Sequence, residues 1–147
     1  MRSKYFAAEV IERRDLTDRI AEFCIASHDG TALPVGEAGS HIEVRFGPEE
    51  GRYLRHYSLV GSLTADRRDD PYWRIAVQRE DRARGSAYIH MHFRKGTALS
   101  VSQPISAFRL GRDAPHTMLI AGGVGITAIL PMMRSLVLRK RSFSMLY

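Results

Sequence analysis

The clearest alternation in the chain runs from His41 to Phe46. Ile42, Val44 and Phe46 fall on one side and His41, Glu43 and Arg45 on the other, the two-residue period of a half-buried strand. Trp73, Ile75 and Val77 alternate in the same way with Arg74, Ala76 and Gln78. Further strands are predicted over 5–16, 19–26, 52–60, 98–102 and 107–110. Turn residues separate them: His28-Asp29-Gly30, the loop 34–39, Gly47-Pro48 with Gly51, and the charged loop 66–71. A short helix is expected over 86–93, with Ser86 as its N-cap. Short strands, regular turns and one short helix predict an antiparallel barrel.

From His116 the pattern changes. The apolar stretch Thr117–Ile120, the glycine turn 121–127, an amphipathic helix over 129–140 and a strand over 142–147 read as the opening β-α-β unit of a doubly wound domain. Pro131 falls early in that helix, where it is tolerated. The linker is 111–115, so the expected division is 1–111 and 116–147. The second span is shorter than the ~50 residues of a complete domain. It is expected to be a truncated α/β nucleotide-binding domain: a natural remnant, a fragment, or half of a split enzyme completed by another chain.

Composition narrows the class. Of 147 residues, 44% are hydrophobic and 26% charged, as in soluble globular proteins. No apolar run approaches the ~20 residues of a membrane span. Met1-Arg2-Ser3-Lys4-Tyr5 lacks a signal-peptide core, so a cytoplasmic protein with no membrane partner is expected. The single cysteine, Cys24, excludes an intrachain disulfide or a four-cysteine cluster, and in its strand context reads as a buried thiol. The net charge is +6, but the arginines are interleaved with acids, as in Glu12-Arg13-Arg14-Asp15 and Arg79-Glu80-Asp81-Arg82. That pattern marks solvated surfaces, and no nucleic-acid partner is expected. A phosphate cofactor or an acidic protein accounts for the excess. His90 and His92, two apart on a helix, do not share a face, and no metal site is expected.

Three constellations carry chemistry. In Arg55-His56-Tyr57-Ser58, Arg55 and Tyr57 share one face of a strand. A fixed cation beside an aromatic ring can hold a phosphate at one end and an isoalloxazine at the other, and Ser58 adds a small donor and acceptor. The plain alternative is an exposed strand with a surface arginine. Next, Val77-Gln78-Arg79-Glu80 leads into Arg82-Ala83-Arg84-Gly85-Ser86, a basic turn at a helix start that suits phosphate. The third is Gly122-Gly123-Val124-Gly125-Ile126-Thr127 between strand and helix, where Gly123, Gly125 and Ala128 also fit G-x-G-x-x-A.

Together with the segment from Gly96 through Pro104-Ile105-Ser106-Ala107-Phe108, these motifs occur in an order that resembles the flavin-dependent reductases of the ferredoxin–NADP reductase superfamily. The nearest branch is that of phthalate dioxygenase reductase and vanillate demethylase reductase. The resemblance implies a six-stranded Greek-key flavin-binding barrel followed by a pyridine-nucleotide domain. It implies that Arg55 holds the flavin phosphate, that its motif neighbour His56 belongs to the cofactor-binding set, that Tyr57 packs on the ring and that Ser58 lies near its reactive edge. Val77 and Gln78 would line the pyrimidine side; Arg84, Gly85 and Ser86 would meet the phosphate. Gly122, Gly123 and Gly125 would approach the nicotinamide dinucleotide, with Thr127 between the cofactors. The implied cofactor is FMN, with FAD as the alternative, and NAD(P)H is the donor. Hydride would pass from NAD(P)H to the flavin, then electrons to an iron–sulfur protein or domain serving a terminal oxygenase. A flavin-binding module without NAD(P)H turnover is the alternative function. The chain departs from the pattern in its single glycine at 85 and in Ala128 where relatives often place proline, and no plant-type iron–sulfur domain is expected within these 147 residues.

Overall fold

The alternation around Ile42 is realised in β3 (His41–Phe46), where Ile42, Val44 and Phe46 are buried. The computed structural model describes residues 5–49, 52–61 and 71–147; the expected breaker Gly51 and most of the expected charged loop lie outside them. β3 pairs with β4 (Tyr53–Ser58), setting Ile42 opposite Tyr57, Val44 opposite Arg55 and Phe46 opposite Tyr53. Directly opposed residues share a face, so the Arg55–Tyr57 face of β4 continues the apolar face of β3. Glu43 is the buried exception on the other face. The Tyr5 hydroxyl donates to its carboxylate, and its N–H donates to Ser102 Oγ at 3.0 Å.

With β1 (Tyr5–Asp15), β2 (Ile20–Ser27), β5 (Trp73–Gln78) and β6 (Ala98–Ser102), these strands form one antiparallel sheet in the order β4-β3-β6-β1-β2-β5. A bulge between Val10 and Glu12 helps the long β1 curl. The two end strands then meet. The Val60 N–H, just past β4, donates to the Arg74 carbonyl of β5 at 2.9 Å, and the sheet becomes a nearly closed barrel. Its interior holds Val10, Phe23, Ile25, Ile42, Val44, Ile75, Val77 and Val101. Helix α1 (Arg84–His92) joins this core through Ile89, and the next residue, Phe93, meets Phe23 and Phe46 edge-to-face at 5.5 and 5.2 Å. Cys24 is buried in β2.

Two local expectations are corrected. Residues 107–110 are not a strand. After β6 the chain makes one bridge, Ile105 with His41, and then leaves the sheet. Both edges of β3 are already paired, with β4 and β6, so no ladder remains for another strand. Ser86 is not an N-cap either. The helix begins two residues earlier, after Ala83, and the Ser86 hydroxyl accepts the Glu80 N–H at 3.0 Å and donates to the Ala83 carbonyl at 3.3 Å.

Beyond the linker, β7 (Thr117–Ile120) and β8 (Phe143–Leu146) pair in parallel, connected through a 3-10 turn at Gly123–Gly125 and α2 (Ile126–Leu138). The 3-10 turn starts α2 three residues before the expected 129, which places Pro131 in the second turn rather than the first. There it offers no N–H to the Thr127 carbonyl. Leu119, Ile129, Met132 and Leu136 form a second buried cluster. It packs on the barrel loops through Ala38 and Leu110. Gly39, at φ +89°, is required at this junction, because a Cβ there would overlap the Met132 methyl and the Phe108 carbonyl. Arg141 donates to the linker carbonyls of Ala114, at 2.9 Å, and Arg112, at 3.3 Å. Among the described residues no helix is long and apolar enough to cross a membrane.

Candidate flavin site

Two of the three sequence constellations come together beside the junction where β4 and β5 close the barrel. Arg55 projects from β4 onto the first turn of α1. A Cβ built on Gly85 would lie 2.9 Å from Arg55 Nε and 3.2 Å from its Cζ and Nη2. Only a glycine lets the guanidinium rest on the helix end this closely. The same guanidinium donates to the Leu54 carbonyl at 2.8 Å and lies 5.8 Å from the Tyr53 ring centre.

This placement is electrostatically incomplete by itself. The first N–H groups of a helix lack intrahelical partners and carry partial positive charge, which disfavours a neighbouring cation. The first turn of α1 contains no acidic residue. A guanidinium beside such a helix end is the arrangement that an intervening anion stabilises, and Arg55 with the Gly85 and Ser86 N–H groups supplies donors of the kind phosphate accepts. Arg82, just before α1, and Arg84, its first residue, are both exposed.

Tyr57 shares the Arg55 face and packs, half-buried, against the barrel core. Burial pushes its hydroxyl from 10.0 up to about 12, with the Arg55 charge opposing the rise. Tyr57 therefore keeps its proton two pH units longer than a free tyrosine. In an ultraviolet absorbance titration of the flavin-free chain, one tyrosine is expected to ionise near pH 12, and Arg55→Ala is expected to move it higher.

β5 is the end of its sheet, and the Arg74 carbonyl points across the gap to Val60. Backbone groups repeat direction every second residue of a strand, so Ala76 and Gln78 offer N–H and C=O to the same gap. A planar ring with amide-like edges finds complementary groups there. The Val77 side chain is buried, and its carbonyl accepts from His90 Nε2 at 2.9 Å.

The glycine turn packs beside β5. Gly122, Gly123 and Gly125 are exposed, and a Cβ on any of them would meet nothing within 4 Å. Gly123, at φ +54°, has a backbone reason to be glycine. The Thr127 hydroxyl donates within the turn, to the Val124 carbonyl at 2.9 Å. His56 is set apart from the others. It lies on the opposite face of β4 from Arg55, exposed, with its ring 5.3 Å from His41. Ser58 ends β4 opposite His41, half-buried.

Sequence reasoning missed His90, which is the contact from α1 to β5. The available signal was its spacing: Ser86 and His90 stand four apart on one helix face, and both bond to the segment that ends β5.

The architecture is that of a ferredoxin–NADP reductase-like flavin-binding barrel. No family model matches the chain. It is 33% identical over 132 residues to the carnitine monooxygenase reductase subunit of Escherichia coli (strain K12), covering 89% of this chain and 40% of the relative. It is 34% identical over 120 residues to the vanillate O-demethylase oxidoreductase of Pseudomonas sp. (strain HR199 / DSM 7063), covering 81% and 36%. The solved structure of phthalate dioxygenase reductase superposes with a TM-score of 0.83 at 30% identity, covering 96% of this chain and 42% of that one. That protein is described as a modular structure for electron transfer from pyridine nucleotides to [2Fe-2S]. The homologues of this chain are thus oxidoreductases of the phthalate dioxygenase reductase and vanillate demethylase oxidoreductase kind. The chain spans about 40% of the length of the relatives it matches.

Proposed function

We propose that the chain is the flavin-binding part of an oxygenase reductase, with residues 1–111 as the flavin barrel and 116–147 as the start of an NAD(P)H-binding unit. The observation that carries this reading is the Arg55 guanidinium lying on Gly85 at the start of α1, with Tyr57 on the same strand face. Arg55 and the first turn of α1 hold the flavin phosphate. Tyr57 packs on the ring, and the open β5 edge at Gln78 meets its polar rim. FMN is the cofactor of this reading and FAD the alternative. A flavin held there would supply the step from two-electron donors to one-electron acceptors, between a reduced nicotinamide and an iron–sulfur protein that serves a terminal oxygenase in the cytoplasm. The protein's own task is to bind and orient, and hydride transfer needs no side chain as acid or base.

The alternative is a flavin-binding module without turnover. Reconstitution with FMN followed by anaerobic addition of NADH separates the two. Rapid bleaching of the flavin absorbance is the expected result for a reductase. Bound flavin that stays oxidised supports the module. Failure to take up either FMN or FAD overturns both.

A further inference from the structure

Two side chains hold α1 by means that the candidate flavin contacts do not use. Arg13, on β1, donates from Nη1 to the carbonyls of His90, at 2.7 Å, and Phe93, at 3.2 Å. These carbonyls belong to the end of the helix, where acceptors lack intrahelical partners and the dipole is negative. Arg13 is itself held: Nε and Nη2 each lie 2.9 Å from the Asp15 carboxylate, and its Cζ sits 5.7 Å from the Phe23 ring centre. His90 then reaches from α1 to β5, with Nε2 2.9 Å from the Val77 carbonyl. A carbonyl only accepts, so Nε2 carries the proton in this contact. One helical turn earlier, Ser86 Oγ accepts the Glu80 N–H. The nine-residue helix is therefore tied to β5 at Val77, to the loop just after β5 at Glu80 and to β1 at Arg13.

We infer that His90, backed by Arg13, is a positioning residue that sets the separation between the two ends of the flavin site. One end is the Arg55–Gly85 phosphate corner at the start of α1; the other is the Gln78 edge next to Val77. A ligand that reaches from a phosphate to a ring must bridge that separation, so an error in the placement of α1 is read directly as lost affinity. The inference rests on the flavin reading above.

The test uses the whole chain with His90→Phe, which keeps a ring but removes the donor, and His90→Gln, whose amide nitrogen stands near the place of Nε2. FMN affinity is measured by titration, the bound flavin by visible circular dichroism, and the flavin-free chains by thermal unfolding. His90→Phe is expected to bind FMN about tenfold more weakly, the loss of roughly one half-buried hydrogen bond, with an altered flavin dichroism. His90→Gln is expected to restore both to near wild type. Arg13→Gln, also about tenfold weaker and rescued by Arg13→Lys, carries the test if His90→Phe fails to fold. Equal FMN affinity and dichroism in wild type and His90→Phe overturn the inference alone. So does a His90→Gln chain as impaired as His90→Phe, since ring packing then explains the loss. A wild-type chain that binds neither FMN nor FAD overturns the flavin reading and this inference with it.

Discussion

Arg55→Ala is expected to weaken FMN binding by about a hundredfold, an equivalent of ~2.7 kcal/mol, while leaving the unfolding midpoint of the flavin-free chain nearly unchanged. The asymmetry follows from where Arg55 sits. Its side chain is exposed, so little apolar burial is lost on truncation. Its guanidinium, however, provides the charge at the start of α1, and a charge-assisted pair of hydrogen bonds to phosphate is worth roughly twice a neutral one. Arg55→Lys is expected to recover only part of the affinity, because an ammonium cannot present the planar fork. Gly85→Ala gives the complementary result. The added methyl would stand 2.9 Å from Arg55 Nε and displace the guanidinium. What moves is the end of a flexible, exposed side chain, and alanine is favoured over glycine in a helix by about 1 kcal/mol. Gly85→Ala should therefore unfold at a higher temperature yet bind FMN about tenfold more weakly. Titration by flavin fluorescence, paired with thermal unfolding, checks all three variants. Equal affinity in Arg55→Ala and wild type would remove Arg55 from the phosphate site.

Phe93→Ala is expected to destabilise the fold by about 3–5 kcal/mol, measured by chemical denaturation. Phe93 is 1% exposed and meets both Phe23 and Phe46 edge-to-face, so it is the apolar pin between the end of α1 and two strands of the barrel. Truncation leaves a cavity among β-strands whose ladders limit collapse, which places the cost in the upper part of the usual range. A loss of that size is a large fraction of the 5–15 kcal/mol that typically holds a domain of this size. Phe93→Leu keeps most of the volume and is expected to cost roughly 1–2 kcal/mol.

The period of the apolar residues determined the barrel strands with little help from context. Ile42-Val44-Phe46 and Trp73-Ile75-Val77 alternate because one side of each strand must leave water, and that requirement is written locally. The failures share one cause. Residues 107–110 have strand-like composition, but β3 has no free edge to offer them. Ser86 is a good cap by type, yet its hydroxyl is taken by Glu80 from the preceding loop. Pairing capacity and competition for a hydrogen bond are properties of neighbours in space.

The same division holds for the site. The residue types and their order along the chain, Arg55 and Tyr57 two apart, Gly85 and Ser86 at a helix start, and the glycine turn from Gly122, were legible from the sequence. That Arg55 rests on Gly85 was not, because thirty positions separate them and only closure of the barrel between β4 and β5 brings the strand face against the helix end. His56 was grouped with Arg55 by adjacency, although the strand alternation already legible in the sequence puts it on the opposite face, where the structure has it. His90 was judged only as a metal ligand, and the Val77 carbonyl that gives it a role is on another element. Local pattern thus determined which elements form and which residue types each presents. The tertiary structure decided which side chains share a site, because a hydrogen bond or a charge contact acts only over a few ångströms and takes no account of distance along the chain.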